Sequence, residues 1–242
     1  MTVLPRAILF DLDETILSFG RRVLLLQEIV EEFGGVFAPL SAAETAAVIE
    51  ARFVEFWADT ESHRWWRTRP LVDSRREIAA RAFADLTERG VGDLTTDLAD
   101  RFADRFHAYR EEQVRFFPGA VETIDILRER GVRLALVTNG AGDVQRGKID
   151  RFDLARRFDH IQIEGEHGFG KPEERAYRHA LQALDVTARE TWMVGDNLEW
   201  EVAAPQRLGI FAIWHDHFET GLPADSPVRP DRIIRSLTEL LE

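Results

Sequence analysis

The spacing of apolar positions changes twice along the chain and divides it into three parts. A short apolar run, Ala7 to Phe10, has the length of a buried strand. For about a hundred residues after Thr15, apolar residues then recur at helical spacing. From Phe116 onward, short apolar runs alternate with amphipathic stretches. This order predicts a parallel sheet with helical crossovers, in which an insertion separates the first strand from the rest.

The insertion is predicted to hold four helices joined by short links, and therefore to form a bundle. Ser41 with Glu44 three residues later is typical of a capping box and marks the start of the second helix. The other three predicted helices cover residues 23–33, 73–89 and 95–115. We expect residues 1–16 and 116–242 to form one domain and residues 17–115 to form a helical cap domain.

The last part of the chain alternates strands and helices. The pattern predicts strands over residues 133–137, 161–163, 191–194 and 210–214, and helices over residues 121–130, 172–184 and 197–207 and from about residue 143. The expected fold class is α/β, with a Rossmann-like parallel-sheet core and an inserted helical bundle.

Composition narrows the class of protein. The 242 residues are 45% hydrophobic and carry a formal charge of −12, which argues against nucleic acid or an anionic membrane as the partner. There is no cysteine, which excludes disulfides and thiolate metal sites. Neither a signal pattern nor an apolar stretch near the ~20 residues of a membrane helix is found. We expect a cytoplasmic monomer or homodimer that acts on a small molecule.

Polar residues with chemical potential recur after predicted strands or at helix starts. Because strand ends of a parallel sheet meet at one edge, we expect these residues to form one pocket. They are Asp11, Asp13, Thr138, Asn139, Lys171 and Asp196. The chain has only two lysines, Lys148 and Lys171, so a lysine placed just before a proline at a helix start is a candidate functional residue.

Such a pocket suits a phosphoryl group. Like charges at close range resist joint ionisation, and a hard divalent cation, Mg²⁺ above all, would relieve the three aspartates. The Thr138 hydroxyl, the N–H groups of the Asn139-Gly140 turn and the Lys171 ammonium would bind the anion. One aspartate can attack phosphorus, and another can protonate the leaving oxygen and then deprotonate water.

Four segments in this order resemble the haloacid dehalogenase (HAD) superfamily, in its phosphatase branch with a helical cap. The segments are Asp11-Leu12-Asp13-Glu14-Thr15, Leu136-Val137-Thr138-Asn139-Gly140, Gly170-Lys171-Pro172 and Val194-Gly195-Asp196-Asn197. A single short motif is weak evidence, whereas four in order over nearly the whole chain are strong evidence.

The resemblance implies roles for individual residues. Asp11 resembles the nucleophile and a metal ligand, and Asp13 the acid/base, with its main-chain carbonyl as a second Mg²⁺ ligand. Asp196 resembles the third ligand, Thr138 the phosphate-binding threonine, and Lys171 the lysine that stabilises the phosphoaspartate. Further expected phosphate contacts are Leu12, Asp13, Asn139 and Gly140.

The fourth motif departs from the family's pattern. The family often has a second aspartate five residues after the first, where this chain has Glu201, with Glu199 nearby. Either glutamate is a candidate to support the metal shell, together with Thr15 and Asn197. Asp196 is also expected to cap the helix that follows it.

One part of the insertion has two interpretations. Adjacent residues of a helix point ~100° apart, so Trp65 and Trp66 cannot both lie at the centre of one apolar face. The favoured interpretation places one ring in the bundle core and leaves Arg67 in solvent. The other makes a patch that grips substrate, with Arg21 and Arg22 facing the same cleft.

The leading prediction is a Mg²⁺-dependent phosphatase of a small phosphorylated metabolite, with an aspartyl-phosphate on Asp11. Carbon–halogen hydrolysis is the alternative within the family, but that branch lacks the second acid of the first motif. A phosphomutase stays open, since the phosphoryl group could pass to a hydroxyl instead of water. Phosphonate cleavage is disfavoured because the insertion has no lysine. A non-catalytic regulator is the least favoured.

Overall fold

Six parallel strands form the sheet of the α/β unit. The computed structural model describes residues 3–58, Trp65 and residues 69–242. In chain order the strands of this sheet are β1 (Ala7–Phe10), β4 (Arg133–Thr138), β5 (His160–Ile163), β6 (Thr191–Gly195), β7 (Phe211–His215) and β8 (Arg232–Ile234). Their spatial order is β5-β4-β1-β6-β7-β8, which confirms the predicted fold class.

β1 lies in the middle of the sheet. Its four residues are completely buried, as expected of a strand covered on both faces. Ala7 is in register with Arg133 of β4 on one side and with Thr191 of β6 on the other. The ends of these three strands therefore lie side by side, and this alignment positions the candidate site.

Helices connect the strands of the sheet. They are α5 (Ala120–Glu129), α6 (Gly142–Arg151), α7 (Glu164–His167) and α8 (Glu174–Ala183). After β6 the chain forms a π-helical segment, Leu198–Ala203, which continues into the short helix Ala204–Gln206. A separate pair of short strands, β2 (Leu17–Ser18) and β3 (Arg115–Phe116), runs antiparallel.

The inserted residues form a second compact unit. The chain divides into one unit of Met1–Ser18 and Arg115–Glu242 and another of Phe19–Val114. The helical unit contains α1 (Arg22–Glu32), α2 (Ala42–Ala58), α3 (Leu71–Glu88) and α4 (Thr96–Glu112). Phe37, Phe83 and Phe102 pack edge to face or tilted in its core.

The start of α2 has the predicted capping box. The Ser41 hydroxyl accepts a hydrogen bond from the Glu44 N–H at 3.2 Å, and the Ser41 N–H donates to the Glu44 carboxylate at 2.9 Å. Among the helices of the described residues, none has the length and apolarity required to cross a bilayer.

Candidate active site

Three neighbouring strands bring the predicted acids and threonine to one edge of the sheet. Asp11 directly follows β1, Thr138 is the last residue of β4, and Asp196 directly follows β6. The Asp11 N–H donates to the Val194 carbonyl at 3.0 Å, so strand pairing continues up to the first aspartate. Asp11 and Thr138 are buried, whereas Asp13 and Asp196 are partly exposed.

Lys171 lies between two carboxylates. Its ammonium is 2.5 Å from Asp11 Oδ1 and 2.6 Å from Glu201 Oε1, and its side chain is 1% exposed. Asn139 holds the backbone of Lys171 from both sides, because its Nδ2 donates to the Lys171 carbonyl at 2.6 Å and its Oδ1 accepts from the Lys171 N–H at 2.8 Å. The predicted turn after β4 therefore fixes the position of the lysine.

Asp13 binds a second lysine. The Lys148 ammonium lies 2.8 Å from Asp13 Oδ1 and 2.7 Å from Asp13 Oδ2. Gln145, one turn earlier on α6, donates from Nε2 to Asp13 Oδ2 at 3.1 Å and to the Thr138 hydroxyl at 2.6 Å. Gln145 and Lys148 thus connect the second aspartate to the predicted phosphate-binding threonine.

These two residues were not predicted from the sequence. Gln145 and Lys148 are three positions apart and share one face of α6, where both are buried in spite of their polarity. The scarcity of lysine, which singles out Lys171, applies equally to Lys148 and is the one sequence signal that points to it. Glu164 was also missed, and its carboxylate accepts the Gly140 N–H at 3.2 Å.

The remaining predicted residues of this site lie around Asp11 and Glu201. Leu12 is completely buried, and the Thr15 hydroxyl donates to Asp11 Oδ2 at 3.4 Å. Glu201 Oε2 accepts the Asn197 N–H at 2.8 Å. Glu199 points elsewhere, since its exposed carboxylate pairs with Arg207 at 3.0 Å.

The capping prediction for Asp196 is wrong. The side chain of Asn197 caps the segment that follows β6, accepting the N–H groups of Glu199 and Trp200 at 3.0 Å each. The Asp196 carbonyl accepts the indole N–H of Trp214 at 2.7 Å. The Asp196 carboxylate therefore does not serve as the helix cap.

Burial makes this group of carboxylates reluctant to ionise. It is the largest cause that raises the pKa of Asp11, against the opposing effect of Lys171. Burial, followed by the charges of Glu201 and Asp11, raises the pKa of Asp196 well above its ordinary value. Burial likewise raises the pKa of Glu201 to about 7.

Lys171 is the counterpart of these acids. Burial alone would lower the pKa of its ammonium, but Asp11 and Glu201 raise it above the ordinary value. The lysine therefore remains charged, and it compensates only part of the negative charge of three acids.

The donor set fits a magnesium ion. The carboxylates of Asp11 and Asp196 are hard oxygen ligands, and burial first, then the charges of neighbouring acids, raises their pKa values. A divalent cation at this edge would stabilise the ionised form of both carboxylates. The residues present are therefore suited to the cation that the sequence predicts.

The structure describes three of the five residues that were predicted as possible substrate contacts in the insertion. Arg22 pairs with Glu50 through two contacts of 2.7 Å, within the helical unit, and Arg21 is exposed. Trp65 is 58% exposed, and the guanidinium of Arg69 lies 3.7 Å from its ring centroid. Trp66 and Arg67 lie outside the described residues.

The family match covers most of the chain. Residues 5–209 match the model of the haloacid dehalogenase-like hydrolases. The chain belongs to this family, and the predictions of the superfamily and of a hydrolase are confirmed.

Similar proteins include two relatives with different activities. The chain is 32% identical to a phosphoserine phosphatase of Thermus thermophilus, over 97% of both chains. It is 27% identical to (S)-2-haloacid dehalogenase 1 of a Pseudomonas species, over 84% of this chain and 81% of the dehalogenase.

A solved structure supports the fold. The magnesium-bound crystal structure of the HAD-hydrolase YfnB from Bacillus subtilis superposes with a TM-score of 0.71 at 23% identity. The match covers 98% of this chain and 97% of YfnB.

Proposed function

We propose that this protein is a Mg²⁺-dependent phosphatase of a small phosphorylated metabolite, with Asp11 as the nucleophile. The observation that carries the proposal is the position of Lys171, whose ammonium contacts Asp11 at 2.5 Å in a buried environment. A fixed positive charge beside a nucleophilic carboxylate is what a transferring phosphoryl group requires.

The reaction proceeds in two displacements on phosphorus. An oxygen of Asp11 forms a bond to phosphorus while the bond to the leaving oxygen breaks, and Asp13 gives its proton to that oxygen. Asp13 then takes a proton from water, whose oxygen attacks the aspartyl-phosphate, and the Asp11 carboxylate is released. The products are an alcohol and inorganic phosphate.

Each neighbouring group has a part in this reaction. Lys171 stabilises the charge on the phosphoryl oxygens, and Glu201 holds Lys171 from the other side. The Thr138 hydroxyl accepts a hydrogen bond from Gln145 and donates its own hydrogen to a phosphoryl oxygen. When bound, Mg²⁺ would be held by Asp11, Asp196 and the Asp13 carbonyl and would neutralise phosphate charge.

We further propose that the helical unit, Phe19–Val114, determines which metabolite is accepted. In enzymes whose reaction chemistry is carried by one unit, closure of a second element commonly selects substrate. The similarity to a phosphoserine phosphatase makes a small phosphorylated hydroxy or amino acid the first compound to test.

Carbon–halogen hydrolysis is the second candidate, because a haloacid dehalogenase is among the relatives. A haloacid is hydrolysed without protonation of an alkoxide leaving group, since halide leaves as the anion. Asp13 would then have no proton to deliver, so the second acid of the first motif favours hydrolysis of a phosphate ester.

The test compares the wild type with Asp11→Asn on p-nitrophenyl phosphate and phosphoserine in Mg²⁺. We expect a loss of about 10³-fold or more in kcat, because the amide is a poor nucleophile. Asp185→Asn is the matched control, since it makes the same chemical change at an exposed position.

The same proteins are tested for halide release from 2-chloropropionate with EDTA present. Metal-independent halide release with no phosphatase activity would favour the dehalogenase. Mg²⁺-dependent binding of beryllium fluoride by the wild type, absent in Asp11→Asn, would support the phosphorylated aspartate. An Asp11→Asn variant that hydrolyses phosphoserine at the wild-type rate would refute the proposal.

A further inference from the structure

Three histidines converge in the α/β unit. His160 begins β5, His167 ends α7 and His179 lies on α8. One ring nitrogen of each lies within 4.8 Å of a ring nitrogen of the other two. The separations in sequence, seven and twelve residues, match no short metal-binding motif, so the fold and not a local pattern brings the rings together.

Two of the rings are already oriented by hydrogen bonds. His167 Nδ1 lies 3.1 Å from the Ile163 carbonyl, which can only accept, so Nδ1 carries the proton. His179 Nδ1 lies 2.9 Å from Gln162 Oε1. The Gln162 amide is itself oriented, because its Nε2 donates to the Ala176 carbonyl at 3.0 Å.

The hydrogen bonds at Nδ1 leave a lone pair on Nε2 of both His167 and His179. An imidazole that donates from Nδ1 to an oxygen is held in the tautomer whose Nε2 is unprotonated and can bind a metal. Metal-binding histidines commonly have such a supporting contact. His167 and His179 both have one.

The third ring has an unsatisfied nitrogen. His160 Nε2 is buried and has no hydrogen-bond partner among the described residues. A buried polar atom of this kind costs free energy unless an ion or water satisfies it. Burial, then the neighbouring His179 and His167, lowers the pKa of His160, so its ring is neutral near pH 7.

An aromatic ring, that of Phe169, lies beside two of the histidines. The Phe169 ring lies 5.7 Å from His167 and 5.5 Å from His179, measured between centroids. Burial is the largest cause that lowers the pKa of His179, followed by the charges of His167 and Arg175. The Arg175 guanidinium lies 4.2 Å from the centroid of the Phe169 ring. A positive charge there weakens the attraction of a cation, so the imidazoles must supply the affinity.

We propose that His160, His167 and His179 form a binding site for a divalent transition metal of the Zn²⁺ class. Neutral imidazoles prefer Zn²⁺, Ni²⁺, Co²⁺ or Cu²⁺, whereas Mg²⁺ prefers oxygen ligands. Three histidines leave a fourth tetrahedral position for water. With Zn–N bonds of about 2.0–2.1 Å, small rotations of the rings would close the cluster around the ion.

The site would tie three elements of the unit together. β5, α7 and α8 each supply one ligand, and the chain continues from His167 through Phe169 to Lys171 within four residues. A bound metal would therefore stiffen the segment that carries Lys171.

The test uses the full-length protein without a polyhistidine tag, in an Asp196→Asn background that weakens the carboxylate site. Zn²⁺ is titrated by calorimetry, and Co²⁺ by visible absorption. We expect one ion per chain and the intense bands of tetrahedral Co²⁺. Because the chain has no cysteine, thiolate bands cannot contribute.

Substitution of the ligands should remove binding. In His167→Gln and His179→Gln we expect affinity for Zn²⁺ to fall by at least about tenfold each, and in the double variant we expect no tetrahedral Co²⁺ spectrum. His107→Gln, in the helical unit, is the matched control and should bind as the parent does. Zn²⁺ should also raise the melting temperature of the parent and of the control, but not that of the double variant.

Thermal unfolding without metal shows whether each variant is folded. Stoichiometric binding that is lost with the cluster histidines and retained in the His107 variant establishes the site. If folded parent protein binds no Zn²⁺, or if the double variant binds it equally well, the proposal is overturned.

Discussion

The Lys148 ammonium lies 2.8 and 2.7 Å from the two carboxylate oxygens of Asp13. The lysine side chain is 10% exposed and the carboxylate 33% exposed, so the pair is largely shielded from water. This contact fixes the orientation of the residue that we propose as acid/base. It also means that both lysines of the chain contact an aspartate of the first motif.

Lys148→Met should lower kcat by about 10- to 100-fold, because a misplaced catalytic group costs this much when its support is lost. KM should change less, since Lys148 contacts the Asp13 carboxylate, whose proposed action is on the leaving oxygen. The measurement is steady-state kinetics with phosphoserine. Arg146→Met, on the same helix, removes an exposed pair with Glu166 and should leave kcat unchanged. An equal effect of both variants would mean that general destabilisation of α6, and not Asp13, is responsible.

Glu201 should make the metal-free protein less stable as pH rises. Its pKa is raised by burial from an ordinary value of 4.5 to about 7, so between these values the folded state holds a proton that the unfolded state has lost. The stabilisation is complete below pH 4.5 and is lost as pH rises through 7. Each such proton contributes about 1.4 kcal/mol per pH unit to the slope.

Urea unfolding in EDTA across this pH range measures the slope. The Glu201→Gln side chain cannot ionise. The free energy of unfolding of this variant should therefore fall less steeply with pH, and the difference in slope should correspond to at most one proton. Asp11 and Asp196 also have raised pKa values and should leave a residual slope of the same sign. Mg²⁺ should flatten the curve for the wild type. If the variant and the wild type had identical slopes, Glu201 would already be ionised across the range.

Gly195 cannot be replaced without moving Glu201. A Cβ on Gly195 would lie 2.7 Å from Glu201 Cβ and would overlap Cγ still more closely. Gly195→Ala should therefore destabilise the protein by about 1–3 kcal/mol and displace the partner of Lys171. Gly147→Ala, on α6 with open space around it, should instead stabilise by about 0.5–1 kcal/mol. Urea unfolding of both variants measures whether the free energy of unfolding falls in Gly195→Ala and rises in Gly147→Ala. Equal free energies of unfolding in the two variants would contradict the steric overlap at Gly195.

Arg22 and Glu50 should act together in the stability of the helical unit. Both side chains are 26% exposed, so we expect a coupling of about 0.5–1 kcal/mol between Arg22→Met and Glu50→Gln in a double-mutant cycle. KM for phosphoserine should not change, because the guanidinium is already occupied. An increase of KM in Arg22→Met with no coupling to Glu50 would instead identify Arg22 as a substrate contact.

Sequence patterns predicted the elements around β1 well, since a fully buried apolar strand and strongly amphipathic helices are governed by local composition. The structure brings Lys171 to Asp11 as expected at an edge where strand ends converge. β8 was missed because Arg232–Ile234 is only three residues long and lies at the edge of the sheet. Its pairing depends on β7 and not on a pattern of its own.

Contacts between polar side chains were predicted less well. Lys148 and Gln145 contact Asp13 only because the face of α6 that carries them is turned toward the residues after β1, and sequence alone does not specify which face is turned there. The role of Glu201 was left open because its reach depends on the unusual winding of Leu198–Ala203. Asn197 rather than Asp196 caps that segment for the same reason.

The short ladder between β2 and β3 has a consequence for how the chain can change. Leu17 is in register with Phe116 and Ser18 with Arg115, so the points where the backbone leaves and re-enters the α/β unit are adjacent. A tight turn of about two residues suffices to join antiparallel strands at such a spacing. In the topology of the α/β unit, residues 19–114 therefore take the place of a hairpin loop. A different insertion could replace them without shifting the register of the sheet that holds Asp11.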